Sequence, residues 1–163
     1  MGTVLRKRVA FRAEKPEDMG FVQRVYASTR AEEIAMTGWD EMQAKIFLDM
    51  QFKAQYTHYR NVFPAASFDI ILLDGAPVGR FYVVRQDDHI LLIDLVLLPE
   101  FRGQGIGSLI LKDLAVRAFE ENLPLRLHLE YNNRSRAWCE RLGFRLLKDE
   151  GMYLFFERTP EPV

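Results

Sequence analysis

Three glycines spaced two apart, Gly103, Gly105 and Gly107, stand between an apolar run, LLIDLVLLP, and a helix-patterned run, LILKDLAVRAFE. With no side chains in the way, several backbone N–H groups at the helix start can point outward together, which makes a place to hold a phosphate. Two common phosphate chemistries fail on the neighbouring residues. A nucleoside-triphosphate loop needs Gly-Lys-Ser/Thr, whereas here the chain reads Gly105-Ile106-Gly107-Ser108. A dinucleotide fold wants its glycines after the first strand of a βαβ unit and an acid at the end of the next strand. Glu130 could be that acid, but too few alternating units follow.

The elements around the turn follow from periodicity. Gly107, Ile110, Leu111, Leu114, Ala115 and Ala118 recur at helical spacing and predict an inner face that packs on a sheet and aims the helix N-terminus at a ligand. Phe68 to Leu73, Val78 to Val84 and Ile90 to Leu98 are β-rich runs broken by Asp74-Gly75 and Asp87-Asp88, so they predict antiparallel neighbours. Residues 9–13 form a first strand, and Lys15-Pro16-Glu17-Asp18 opens a helix running to about residue 35. Thr37-Gly38-Trp39-Asp40 interrupts the pattern, and Met42, Ile46, Phe47, Met50 and Phe52 restore it to about Tyr59. Leu125, Leu127 and Leu129 alternate with polar residues as a fifth strand, parallel to the fourth because a helix crosses between them. A short helix capped by Asn132, Asn133 and Gly143 follows, then a hairpin from Phe144 to Leu147 and Met152 to Phe156. The tail at 159–162 reads as loose.

Length and charge narrow the partners. A chain of 163 residues suits one domain spanning 1–163, and a net charge of −1 supplies no field to draw nucleic acid or a membrane surface. Small ligands are the default. Cys139 is the only cysteine, no signal peptide opens the chain and no apolar run is long enough to span a bilayer, so a soluble cytoplasmic protein is expected.

Arg102, Gly105 and Gly107 also fit the pattern Arg/Gln-x-x-Gly-x-Gly/Ala, and NNRSRAWCERLGF follows at 132–144. In order and spacing the two stretches resemble the GNAT superfamily, the acyl-coenzyme A dependent N-acyltransferases. The resemblance runs from Leu91 onward, and residues 1–65 carry no such motif. It implies an α/β (α+β) domain whose central sheet is mixed, mostly antiparallel, of about seven strands, flanked by helices and splayed between its fourth and fifth strands. It implies acetyl-CoA as cosubstrate and no metal. By position, Leu97 and Leu98 would pair with pantetheine through their backbone, and the N–H groups of Arg102, Gly103, Gln104, Gly105, Ile106, Gly107 and Ser108 would hold the pyrophosphate. Asn132 matches an asparagine that binds the cofactor. The two early helices would cover the acceptor, a small-molecule or peptide amine, which makes Tyr26, Arg30, Glu33, Trp39 and His58 candidate contacts beside their ordinary reading as packing or solvated charge. A homodimer is an option by family habit alone.

Direct attack by an amine requires removal of an ammonium proton, stabilisation of the developing oxyanion by a backbone N–H near Leu97 and return of a proton to the leaving thiolate. Asp94 breaks the apolar central strand, where a carboxylate is costly unless paired or open to water. It either lines the cleft as a base or pairs with an arginine or backbone N–H groups. The tyrosine that supplies the last proton in many members is replaced here by Cys139, with Tyr131 and Tyr153 as alternatives from adjacent elements. A thiol with a reference pKa of about 8.5 is protonated at pH 7, but its side chain is short, and Cys139 reads equally as a small buried apolar residue. A non-catalytic acyl-CoA-binding or sensing module, and a scaffold with a vestigial cleft, are the rival functions.

Overall fold

The computed structural model describes residues 2–163. A short helix, α1 (Gly2–Arg8), leads into strand β1 (Val9–Ala13), and a 3-10 turn at Pro16–Asp18 opens helix α2 (Met19–Ala35). Then come α3 (Glu41–Val62), β2 (Ser67–Leu73), β3 (Ala76–Arg85), β4 (Ile90–Leu97), α4 (Ile106–Glu120), β5 (Leu125–Glu130), α5 (Arg136–Arg141), β6 (Arg145–Asp149) and β7 (Tyr153–Arg158). Local chemistry sets the breaks. The Asp40 carboxylate accepts the Gln43 N–H at 2.8 Å while the Gln43 side chain accepts the Asp40 N–H at 3.1 Å, a reciprocal cap that starts α3. Asp74 and Gly75, with φ of 51° and 83°, make the tight left-handed turn between β2 and β3.

The strands form one seven-stranded sheet in the order β1-β2-β3-β4-β5-β7-β6. Every neighbouring pair is antiparallel except β4 and β5, which the α4 crossover makes parallel. That parallel contact is short. Ile90, Leu91 and Leu92 pair with Leu125, Arg126 and Leu127, and beyond them the strands diverge. Helix α4 covers one face, burying Ile110, Leu111, Leu114, Ala115 and Ala118, with Ile106 buried in addition. Helices α2 and α3 cover the other, where Val22, Tyr26 and Phe52 pack on Ile70.

A bulge in β4 decides which side chains reach which face. Tyr82 lies opposite Asp94 and Val83 opposite Leu92, so Ile93 is the extra residue. Ile90 and Leu92 pack towards α4 before the bulge, and Leu95 and Leu97 do so after it. Without Ile93 as a spacer, strict alternation would have put Asp94 in that apolar core; with it, Asp94 turns towards α2 and α3.

Two segments differ from expectation. Helix α1 has too few residues for its period to be read, and it is held by Leu5 against the Ile106 and Ile110 cluster and by an Arg6–Asp113 ion pair. The tail expected to be loose is anchored. Arg158 is buried and donates to the carbonyls of Glu161 and Pro162, each at 3.0 Å.

Backbone contact between β3 and β4 is closest at Gly79, where a Cβ would lie 2.2 Å from the Val96 carbonyl oxygen. Since that oxygen is main chain, only separation of the strands relieves the clash. Gly79→Ala should cost about 3 kcal/mol or more, read as a lower urea midpoint with an unchanged slope.

Candidate active site

Where β4 and β5 part, a cleft of about 850 Å³ opens. Tyr26, Arg30, His58 and Tyr59 form its roof from α2 and α3; Arg80 and Asp94 form its floor; His128, Glu130, Tyr153 and Cys139 line the far wall.

The backbone edge of β4 is part of this cleft. The Leu98 N–H donates to the Val78 carbonyl at 2.9 Å, and ladder pairs alternate, so Leu98, Val96 and Asp94 turn their backbone groups to β3. Leu95 and Leu97 turn theirs to the gap. This corrects the expectation for Leu98, whose N–H and carbonyl are both committed within the fold, the latter to the Phe101 N–H at 3.0 Å. Leu97 keeps its N–H towards the gap, while its carbonyl accepts Arg102 Nε at 3.0 Å. Leu95, absent from the sequence expectation, joins it.

The cradle at the start of α4 is open. Gly105 sits at the N-cap with φ of 88° and no side chain caps the helix. The Arg102 N–H is taken by the Pro99 carbonyl at 3.2 Å, which removes it from the expected set. The N–H groups of Gly103, Gln104, Gly105, Ile106, Gly107 and Ser108 have no backbone partner among the described residues, the first intrahelical bond being Leu109 to Gly105 at 3.0 Å. Six donors at a helix N-terminus suit a pyrophosphate, so the residues present fit coenzyme A. Trp138 of α5 fixes this end by donating to Ser108 Oγ at 2.8 Å.

Of the two readings of Asp94, the structure shows an arginine pair and keeps the carboxylate at the cleft. Arg80, only 2% exposed, pairs with Asp94 and donates to Gln55 Oε1 at 2.9 Å. Cys139 lines the cleft but is 1% exposed, and burial pushes its thiol up to about 11. Tyr153 lines the same cleft; Tyr131 is 64% exposed and stands outside it. Asn132 is also exposed and outside, whereas Asn133 lines the cleft and accepts the Ser135 N–H at 2.7 Å.

Among the acceptor candidates, Tyr26, Arg30 and His58 come together in the roof. Glu33 and Trp39 do not. Glu33 pairs with Arg30 on the outer surface of α2, and Trp39 meets the Phe47 ring edge-on at 5.0 Å. Arg30 also reaches across the splay to Glu130, with bonds of 2.7 and 3.1 Å, and Arg134 meets Glu32 at 3.2 Å beside it. Arg80, Glu130 and His128 were missed as site residues; the signal for Glu130 and His128 was polarity on the face opposite the leucines of β5, and for Arg80 a charge inside an apolar strand. Among the described residues, no group of three or more His, Cys, Asp or Glu could hold a metal ion, and no helix is long and apolar enough to cross a membrane.

Residues 17–144 match the family described as the acetyltransferase (GNAT) family. A thialysine N-epsilon-acetyltransferase from Bos taurus is 38% identical over 77 residues, a match that spans 45% of each chain. Two solved structures share the fold. The PaiA N-acetyltransferase of Thermoplasma acidophilum in complex with coenzyme A superposes with a TM-score of 0.69 at 16% identity, covering 93% of this chain and 98% of that one. An acetyltransferase from Thermus thermophilus gives 0.65 at 20% identity, covering 93% and 96%.

The buried pair on the cleft floor generates a stability prediction. Arg80→Met leaves Asp94 without its cation and should destabilise the fold by about 3–5 kcal/mol. Arg80→Met combined with Asp94→Leu should recover most of that loss in urea denaturation.

Proposed function

Because the chain belongs to the acetyltransferase (GNAT) family, we propose that it transfers an acetyl group from acetyl-CoA to a primary amine of a small molecule or peptide by direct attack. The observation that carries this reading is the continuity of two backbone surfaces. The uncapped N–H groups at the start of α4 lead into the unpaired edge of β4 at Leu97 and Leu95, and that edge ends in the cleft. A chain with a pyrophosphate at one end and amide groups along its arm fits that path. The bovine relative is named for acetylating the Nε of thialysine, which supports a small amine as acceptor.

Acetyl-CoA supplies an activated thioester carbonyl. Leu97 and Leu95 offer N–H groups to its oxygen as negative charge develops there. Asp94, fixed by Arg80, gives the floor of the cleft a carboxylate that attracts the acceptor ammonium. Cys139 occupies the general-acid position, and its raised pKa keeps it protonated across the physiological range. Tyr153 is the second donor lining the same cleft, and Tyr26, Arg30 and His58 contact the acceptor from above. The depth at which the thiol is buried favours one second reading, a non-catalytic acyl-CoA-binding or sensing module.

Calorimetric titration with acetyl-CoA and with coenzyme A tests the reading on wild type and on Gly107→Asp. The new Cβ would have Trp138 at 3.8 Å, an ordinary contact, and a carboxylate at a helix N-terminus favours the helix while repelling a phosphate. Binding by the wild type, weakened at least about tenfold in the variant, is expected. Binding without turnover of any amine in a broad panel would select the sensing module, and no binding would leave only the fold.

A further inference from the structure

We propose that His128 is the general base of the transfer and takes the proton from the acceptor ammonium, an inference that rests on the acetyl-transfer reading above. Along β5, Leu125, Leu127 and Leu129 pack with the α4 core, so Arg126, His128 and Glu130 face the α2 and α3 side. In the parallel register Leu127 pairs with Leu92, and His128 is the next residue, opposite the bulge at Ile93. It therefore stands where the strands separate, beside the backbone edge that would hold the thioester. His58, by contrast, belongs to the roof, on α3.

Two carboxylates of the cleft are committed, while Glu150 lies in the β6–β7 turn and His58 in the roof. Asp94 is held by Arg80 and Glu130 by two bonds from Arg30. Burial raises the Tyr59 phenol and the Cys139 thiol, so neither is ionised at neutral pH. His128 lies flat on Phe155, with centroids 4.6 Å apart and an interplanar angle of 20°, and neither ring nitrogen has a hydrogen-bond partner among the described residues. The stack orients the ring and leaves its nitrogens for a ligand. Desolvation lowers the His128 pKa and the Glu150 carboxylate opposes that shift. The remaining charged or titratable groups around it are Arg30 and His58 from the roof, Asp94 and Arg80 from the floor, Tyr153 from β7, and Arg126 and Glu130 on its own strand. At neutral pH the imidazole is in its basic form.

The step balances. His128 accepts one proton from the ammonium, and the freed nitrogen forms a bond to the acetyl carbon as the carbon–sulfur bond breaks. The sulfur leaves with a proton from Cys139, Tyr153 or solvent, and the second proton of the nitrogen, made acidic once the carbon–nitrogen bond has formed, refills that donor. His128 then returns its proton to water at the cleft mouth.

A base with a lowered pKa is active above that pKa and lost below it, so kcat of the wild type should fall along a single acidic limb. His128→Gln, and His128→Phe to preserve the stack, should lower kcat by about 10²–10⁴ and abolish the limb, with calorimetric affinity for coenzyme A unchanged and added imidazole restoring part of the rate to the glutamine variant. The assay uses the best acceptor among amino acids, diamines and peptides. If either folded variant keeps the wild-type kcat and its limb, or if the limb disappears only in His58→Gln, His128 is not the base and acetyl transfer stands. A wild type that binds acetyl-CoA yet acetylates no amine overturns the transfer reading and this one with it.

Discussion

One extra residue in β4 governs the arrangement of the active face. Ile93 breaks the β3–β4 register just after the last parallel pair, Leu92 with Leu127. Three consequences meet at that point. The strands part, the backbone of Leu95 and Leu97 turns to the gap, and Asp94 swings from the apolar core to the opposite face. A regular strand of the same composition would bury a carboxylate against α4, at a cost of several kcal/mol, and would leave no channel. Bulges recur next to active sites for this reason, since they re-aim one side chain and end pairing together.

Once Asp94 faces inward, the rest of the α2 and α3 side is arranged to satisfy it. Arg80 is buried beneath it, Gln55 of α3 accepts from that guanidinium, and the Tyr26 and Tyr82 rings lie about its edges at 6.0 and 5.2 Å. Buried charge of this kind adds little net stability but penalises any packing that separates the partners. Helix α3 is thus registered on the sheet by polar contacts as well as by Phe52, and that places His58 and Tyr59 over the gap.

The elements with long periods were legible in the sequence. The α4 face needed only its apolar spacing, the β2–β3 turn only Asp74-Gly75, and the uncapped start of α4 only its glycines. The bulge was not legible, because Ile93 looks like any other residue of an apolar run; the exchange of Leu98 for Leu95 has a simpler cause, since successive strand residues turn their backbone to opposite neighbours. Side-chain pairings between distant elements escaped for a related reason. Arg30 and Glu130 are a hundred residues apart, and nothing local marks them as partners. Trp39 and Glu33 were singled out because the resemblance puts the acceptor under the early helices, yet Glu33 is exposed on α2 and Trp39 lies in the link between α2 and α3, packed on Phe47. Asn133 lines the cleft and Asn132 does not, a difference of one position in a turn where neighbouring residues point in different directions.

The two halves of the sheet, β1 to β4 and β5 with β7 and β6, are joined by different forces on their two faces. Beneath, α4 binds them through a continuous apolar cluster that includes Leu92, Leu111 and Leu127. Above, ion pairs of Arg30 with Glu130 and of Glu32 with Arg134 bridge them. The spine of the sheet is therefore oily and its clasp ionic. Kosmotropic salt tightens the spine and screens the clasp, the more so the exposed Glu32–Arg134 pair. The two faces of the sheet thus answer oppositely to the same change of salt.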